Sequence, residues 1–254
     1  MRMRTSNRSG TTLLEMVVSL GIFAVIGMLL FVIMNQSLNS YVALDNRQDA
    51  QRRLRVPERD LLEHIKRTGA SRLQYKRIST TAGQGDVVWF LSAIDPADGT
   101  FRRDAAGIPE WQRTEIYYLV RPSNHDAMVG YSCGTDPDPA GDGYCPHKFL
   151  VWKRVDRPGA PEPMMDATEI DEYTTAPDGY DTNSFTGETG LEDARILSDG
   201  MLWFQVRPQP PFLDFDLRVV RVREAEKSVP VGATSLLTST FTVQHVLRMS
   251  PLNN

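Results

Sequence analysis

The chain has 254 residues, of which 41% are hydrophobic and 24% are charged, and its mean hydropathy is −0.32. These are the values of a globular protein, so the composition excludes a disordered chain and a chain embedded throughout in a membrane. The formal net charge of −4 argues against the basic surface typical of nucleic-acid-binding proteins, and no nucleic-acid partner is expected.

The N-terminus combines a basic leader with an apolar run of membrane length. Arg2, Arg4 and Arg8 precede the run, and residues 16–34 carry no charge. A helix of that length spans roughly 30 Å, the thickness of the hydrocarbon core of a bilayer. Because basic flanks stay in the cytoplasm, the sequence predicts a single-pass membrane protein with its N-terminus inside and its larger part outside.

One acid, Glu15, lies at the start of the apolar run. A carboxylate in a membrane is costly without a partner and usually marks a function. The alternative is a glutamate beside the lipid headgroups with no partner. An ordinary cleaved signal peptide is a weaker interpretation, because its apolar core has only about 7–15 residues.

Gly10 and the TTLLEMVVSLGIFAVIGMLL that follows it resemble the class III signal of type IV prepilins and type II secretion pseudopilins. That signal is a short basic leader, a glycine, and an apolar helix with glutamate as the fifth residue after the cut. The resemblance implies that a prepilin peptidase cuts between Gly10 and Thr11 and methylates the new amine of Thr11. The family usually has phenylalanine at the position of Thr11, which leaves the methylation open. For Glu15 the resemblance implies an ion pair with the N-terminal ammonium of a neighbouring subunit, which sets the register of a filament.

Helical periodicity continues beyond the apolar run. Apolar residues three, four or seven positions apart extend to Thr68-Gly69, which predicts one long helix with an amphipathic lower half. Pro57 lies inside this pattern and removes an amide donor, so we expect it to kink or split the helix.

Beyond Gly69 the pattern changes to short runs rich in β-branched and aromatic residues. Strands are predicted at 86–93, 114–121, 148–155, 200–208, 215–223 and 239–249. In the last of these, alternation predicts a buried face that contains Phe241, Val243, His245, Leu247 and Met249. His245 is interpreted as a residue at the edge of the core rather than as a ligand.

A long helix followed by antiparallel strands predicts an α+β fold, with the helix packed on the sheet. We expect a leader at 1–10, a membrane-spanning or filament-core helix at 11–34, an amphipathic stem at 35–68 and an extracytoplasmic domain at 69–254. Loops are predicted at 122–147 and 156–193, the second acidic and partly mobile. The order of elements is similar to that of the larger minor subunits, the J-type pseudopilins and W-type minor pilins, and implies a pilin-like domain.

The two cysteines, Cys133 and Cys145, lie in a stretch rich in glycine, proline and aspartate. Because this part of the chain is expected outside the cytoplasm, we expect them to form a disulfide. Asp136, Asp138 and Asp142 could supply oxygen ligands for calcium, but they lack the complete EF-hand pattern. A turn whose acids face water is the favoured interpretation, and no other metal or cofactor is expected.

The sequence contains no paired metal-binding histidines, GxSxG, P-loop or GxGxxG, so no enzymatic activity is expected. The resemblance implies a minor pilin or pseudopilin that primes or caps a filament, in a type IV pilus, a type II secretion system or a competence system. It implies insertion in the bacterial inner membrane and later a place at the filament tip. The implied partners are other minor pilins or pseudopilins, the major pilin, the prepilin peptidase and the inner-membrane assembly platform. The alternative is a membrane-tethered extracytoplasmic binding protein with an uncleaved signal anchor.

Overall fold

The computed structural model describes residues 12–80, 83–133, 144–157, 161–210, 212–221 and 241–250. The chain divides into two compact units, residues 1–44 and 45–254. A single helix, α1 (Leu13–Ile65), begins in the first unit and ends in the second. Two turn hydrogen bonds follow its last residue, in which the amides of Arg67 and Thr68 donate to the carbonyls of His64 and Ile65. The long N-terminal helix predicted from the sequence is therefore present.

The lower part of α1 is amphipathic and packs on the sheet of the second unit. Its buried residues are three or four positions apart and form one stripe: Asn46, Ala50, Leu54, Pro57, Leu61 and Ile65. Of the two outcomes expected at Pro57, a kink or a split, the split does not occur, since α1 continues through it. Pro57 removes one amide donor, and its ring lies in the buried stripe, where packing offsets part of that loss.

The second unit contains one seven-stranded antiparallel sheet. Its strands are β1 (Leu73–Thr80), β2 (Gly83–Ser92), β3 (Arg113–Val120), β4 (Lys148–Val155), β5 (Leu191–Gln209), β6 (Phe212–Arg221) and β7 (Phe241–Met249). Their order in the sheet equals their order in the chain. The sheet is curled, so that β2 approaches β5 and the amide of Val206 donates to Asp86 Oδ2 at 2.7 Å. The helix and this sheet together form the α+β fold predicted from the sequence.

Both faces of the central strands are buried. One face meets α1 in a core that includes Leu54, Leu61, Phe90, Tyr117 and Phe204. The opposite face is covered by the segment between β4 and β5, which we call the outer layer (residues 161–190). Its short 3-10 helices, Glu169–Tyr173 and Thr182–Phe185, and the residues around them supply buried side chains to a second core: Met165, Ile170, Tyr173 and Phe185.

The outer layer lies within the acidic, partly mobile loop predicted at 156–193, and that prediction did not include its packing on the sheet. Its described residues hold four buried apolar side chains against the sheet, although these are too far apart in the sequence to give a periodic pattern. A side chain that inserts alone into a preformed apolar surface needs no periodicity, so the pattern alone could not predict this packing.

The prediction for β7 is confirmed for residues 242–249, whereas residues 239 and 240 and the side chain of Phe241 lie outside the described part of the chain. Met249 is buried, Val243 and Leu247 pack against the core, and the exposed Gln244, Val246 and Arg248 alternate with them. His245 lies at the edge of this face, where its Nδ1 contacts the carboxylate of Glu58 on α1. The last strand is therefore joined to the helix by a polar contact as well as by apolar packing.

Candidate functional site

Glu15 closes the first turn of α1 through a reciprocal cap. Its carboxylate Oε2 accepts hydrogen bonds from the amide of Thr12 at 2.9 Å and from the hydroxyl of Thr12 at 3.2 Å. The amide of Glu15 donates back to Thr12 Oγ1 at 3.3 Å. This is a capping box, which satisfies amides that the helix itself leaves free. Glu15 therefore has a partner within its own chain, and that partner was missed from the sequence although the TxxE spacing signals it.

Residues 13–44 of α1 form a rod that is apolar from 16 to 34, and their side chains are exposed or only partly buried. Phe23, Met28 and Phe31 are each at least 70% exposed. Among the described residues, α1 is the one helix that is long and apolar enough to span a membrane. Gly10 and Thr11, at the predicted cleavage point, lie outside the described residues.

A polar network joins the stem of α1 to β3. The hydroxyl of Tyr117 donates to Asp60 Oδ2 at 2.6 Å, and Nδ1 of His64 lies 2.5 Å from the same hydroxyl. Glu115 lies beside it and accepts from Trp152 and Arg154. Burial raises the pKa of Glu115, while His64 and Arg154 lower it in part. The network fixes the rotational setting of the stem against the sheet, because a rotated helix would leave these buried groups without partners.

A buried lysine ties the outer layer to β4. The ammonium of Lys153 donates to both carboxylate oxygens of Glu188, at 2.6 and 2.8 Å, and to the carbonyl of Tyr173 at 2.8 Å. It also lies 3.8 Å from the centroid of the Phe185 ring. Burial lowers the pKa of Lys153 to about 8, although Glu188 acts in the opposite direction. The lysine was missed from the sequence, where KFLVWKRV indicates only a strand.

Cys133 and Cys145 form the predicted disulfide, with their Cα atoms 5.3 Å apart. Both sulfurs are buried, and Nε2 of His125 lies 3.3 Å from one and 3.4 Å from the other. His125 begins the short helix α2 (His125–Val129), and its Nδ1 is 2.8 Å from Asp126 Oδ1. The predicted calcium candidates Asp136, Asp138 and Asp142 lie outside the described residues. Sequence reasoning missed His125, because no spacing between histidine and cysteine announces this contact.

A cavity of about 310 Å³ is lined in part by His125, the residue that contacts both sulfurs of the disulfide. Its lining includes Arg53, His125, His147, Tyr180 and Arg221. Both arginines form ion pairs with aspartates. Arg53 pairs with Asp199 and, at 3.0 Å, with Asp49. Arg221 lies 3.2 Å from the same Asp49. This volume is at the lower end of the range for ligand pockets. The paired charges make the lining polar without a strong net attraction for a charged ligand.

Comparison of the chain with protein-family models, with curated proteins and with solved structures yields no match. What the protein does must therefore be argued from its own residues.

Proposed function

We propose that the protein is a minor pilin or pseudopilin, a structural subunit that primes or caps a type IV pilus-like filament. The observation that carries the proposal is the N-terminal arrangement. Gly10 precedes an apolar helix in which Glu15 is the one acid before Asp45, and that helix continues without a break into the core of an α+β domain. A filament subunit needs an apolar helical segment that packs against neighbouring subunits. It also needs a second segment of the same helix that carries the domain.

The apolar rod supports this role by its physical chemistry. Exposed side chains such as Phe23 and Phe31 must be removed from water, either by lipid or by similar helices. A chain that leaves the membrane for a filament exchanges one apolar environment for another, so assembly has no large hydrophobic penalty. A rod of this composition therefore suits a subunit stored in the inner membrane and later extracted from it.

In this proposal Glu15 binds the N-terminal ammonium of a neighbouring subunit. All of the hydrogen bonds that its carboxylate makes with described residues use Oε2. Oε1 can therefore accept from a second chain while the capping box persists. An ion pair in an apolar filament core is poorly screened, so it sets the axial position of one subunit against the next.

The proposed partners follow from this assembly route. The prepilin peptidase meets the leader on the cytoplasmic side of the inner membrane, and the assembly platform then receives the processed chain. In the filament tip the subunit contacts other minor pilins or pseudopilins and the major pilin. The domain from Asp45 onward is displayed outside the membrane, in a type IV pilus, a type II secretion pseudopilus or a competence system.

The test is the N-terminus of the chain extracted from membranes. We expect N-terminal sequencing of the wild type to begin at Thr11, and a Gly10→Leu chain to keep its leader and to be absent from filaments. Ser9→Ala is the matched control, because it changes the neighbouring residue and leaves the cleavage glycine intact. A wild-type chain that begins at Met1 contradicts the proposal.

A membrane-tethered binding protein is the second candidate, favoured by the cavity that Arg53, Tyr180 and Arg221 help to line. In that case the helix is an uncleaved anchor and the domain recognises an extracytoplasmic ligand. The two candidates differ at Gly10, since its substitution abolishes the function of a filament subunit and leaves a tethered receptor unaffected.

A further inference from the structure

The chain's two cysteines and two of its four histidines lie between residues 125 and 147. The structure brings them together in one cluster. The rings of His125 and His147 have centroids 5.5 Å apart, and His125 touches both sulfurs. Sulfur and imidazole are the ligands that zinc-like cations prefer in proteins.

The distances in the cluster are close to those of a metal site. A tetrahedral zinc ion holds thiolate sulfur at about 2.3 Å and imidazole nitrogen at about 2.0 Å, which places two ligand atoms about 3.5 Å apart. Nε2 of His125 lies 3.3 and 3.4 Å from Cys133 Sγ and Cys145 Sγ. One ligand atom from each of the three residues His125, Cys133 and Cys145 lies within 4.8 Å of the other two. Only the two sulfurs must separate to admit an ion.

The orientation of His125 gives an independent argument. Its side chain is 3% exposed, and its Nδ1 lies 2.8 Å from the carboxylate of Asp126. A carboxylate at this nitrogen keeps the proton on Nδ1 and turns the lone pair of Nε2 towards the sulfurs. Histidines that bind metals have this arrangement, in which an outer carboxylate fixes the tautomer and the ring. A disulfide alone provides a buried imidazole with little hydrogen-bond stabilisation, because sulfur is a weak hydrogen-bond acceptor.

We propose that the reduced chain binds one zinc-like divalent cation through Sγ of Cys133, Sγ of Cys145 and Nε2 of His125. A water in the adjoining cavity, which His125 and His147 line, completes the tetrahedron. The disulfide and the metal are alternative states of one site, because a sulfur bonded to the other sulfur is no longer a thiolate ligand.

The interconversion balances with an external reductant. A phosphine cleaves the disulfide and is oxidised to its oxide, while water supplies the oxygen atom and the two thiol protons. The cation then displaces both thiol protons as it binds the thiolates. A chain whose cysteines are not oxidised is therefore the form that carries the ion. Thiol–disulfide exchange with an external disulfide reforms the Cys133–Cys145 bond and releases the ion, while the external disulfide takes up the two electrons and two protons from water and becomes two thiols.

The test uses the full chain in detergent, reduced with a phosphine that is then removed. Co²⁺ serves as the probe, because it takes the ligands of zinc and its thiolate complexes absorb visible light. We expect the reduced wild type to bind one equivalent of Co²⁺, which Zn²⁺ displaces, and the oxidised chain to bind none. Changes outside the ligand shell alone weaken metal binding by about 10–100-fold, so loss of a ligand in His125→Ala should weaken it at least as much.

His245→Ala is the matched control, because it removes a histidine on β7 that contacts Glu58 and does not belong to the cluster of His125 with the two cysteines, and it should bind as the wild type does. Circular dichroism of the reduced His125→Ala chain verifies that the variant is folded in the form whose binding is measured. A reduced wild type without the thiolate absorption of bound Co²⁺ would overturn the proposal. So would a folded His125→Ala chain with unchanged affinity, since two thiolates alone would then account for the binding.

Discussion

The carboxylate of Glu15 has two possible uses, and they differ in the chemistry they require. The capping box with Thr12 needs an acceptor oxygen, which glutamine supplies as well as glutamate. The proposed contact with a neighbouring ammonium needs a negative charge. The two requirements differ in charge alone. Replacing one carboxylate oxygen of Glu15 by an amide NH2 group, as in Glu15→Gln, therefore separates them.

We therefore expect Glu15→Gln and Glu15→Ala to insert and to be processed normally, and both to be depleted from filaments. Thr12→Ala is the control, since it weakens the cap by about 1 kcal/mol but keeps the charge, and its incorporation should stay near that of the wild type. Quantitative immunoblotting of membrane and sheared filament fractions measures all three variants. Normal incorporation of Glu15→Gln would indicate that only the cap matters.

At the scale of elements, the outer layer (residues 161–190) gives the sheet a second buried face. It is attached by apolar side chains and by Lys153, whose ammonium reaches Glu188 and Tyr173 from β4. A buried ammonium is costly unless it is paired, and burial lowers the pKa of Lys153 to about 8 although its pairing with Glu188 acts in the opposite direction. The attachment of the layer should therefore depend on pH.

The sign of this dependence follows from the proton balance of Lys153. Between its folded pKa of about 8 and the ordinary value of 10.5, the unfolded chain binds a proton that the folded chain has lost. The free energy of unfolding then rises with pH, by up to about 3 kcal/mol across that interval. Denaturant unfolding of the wild type and of Lys153→Met at several pH values measures the difference, and the variant should lack this rise. Equal pH slopes in the two proteins would contradict the prediction.

For the whole molecule, the division near residue 45 separates two kinds of surface. The buried residues of α1 all lie at or beyond Asn46, whereas the large apolar residues of its first turns are exposed. Both cores of the second unit are built from residues beyond 45. The second unit therefore contains what it needs to fold in water, and the first needs an apolar environment.

A chain that starts at Asp45 should accordingly be monomeric and folded without detergent, while the full chain should require detergent or lipid. Size-exclusion chromatography and circular dichroism of the truncated chain measure both properties. A cooperative thermal transition is the expected result. Aggregation or an unfolded spectrum of the truncated chain would show that residues 12–44 contribute to the fold of the domain.

The sequence predicted the elements that bury a regular face and missed those that do not. The stem of α1 and strands β2, β3, β4, β6 and β7 have apolar residues at helical or alternating spacing, and each was found within a few residues. β1 reads LQYKRIST, and Ile78 is the one buried residue among those of its residues whose burial is described, so no regular apolar face marks the strand. The first half of β5, LEDARILSD, is mostly half-buried and contains register shifts opposite β4, so alternation is lost there.

The candidate sites also differ in whether a local sequence pattern indicates them. The roles expected for Gly10, Thr11 and Glu15 depend on spacing along one helix and its leader, which the sequence displays directly, and they stay predictions. The contact of His125 with both sulfurs depends on where the chain returns between α2 and β4, and no local pattern encodes it. The pairing of Lys153 with Glu188 spans 35 residues and depends equally on the tertiary fold.

The sequential order of the strands has a consequence for how the molecule is made. Every strand pairs with the one before it, so no strand must wait for a distant partner that has not yet been synthesised. Local pairing favours rapid folding, and synthesis proceeds from the N-terminus. The sheet can grow strand by strand on a stem that has already emerged, until β7 pairs with β6 and His245 contacts Glu58. Through this contact β7, the last strand to be synthesised, is linked to α1, the first helix.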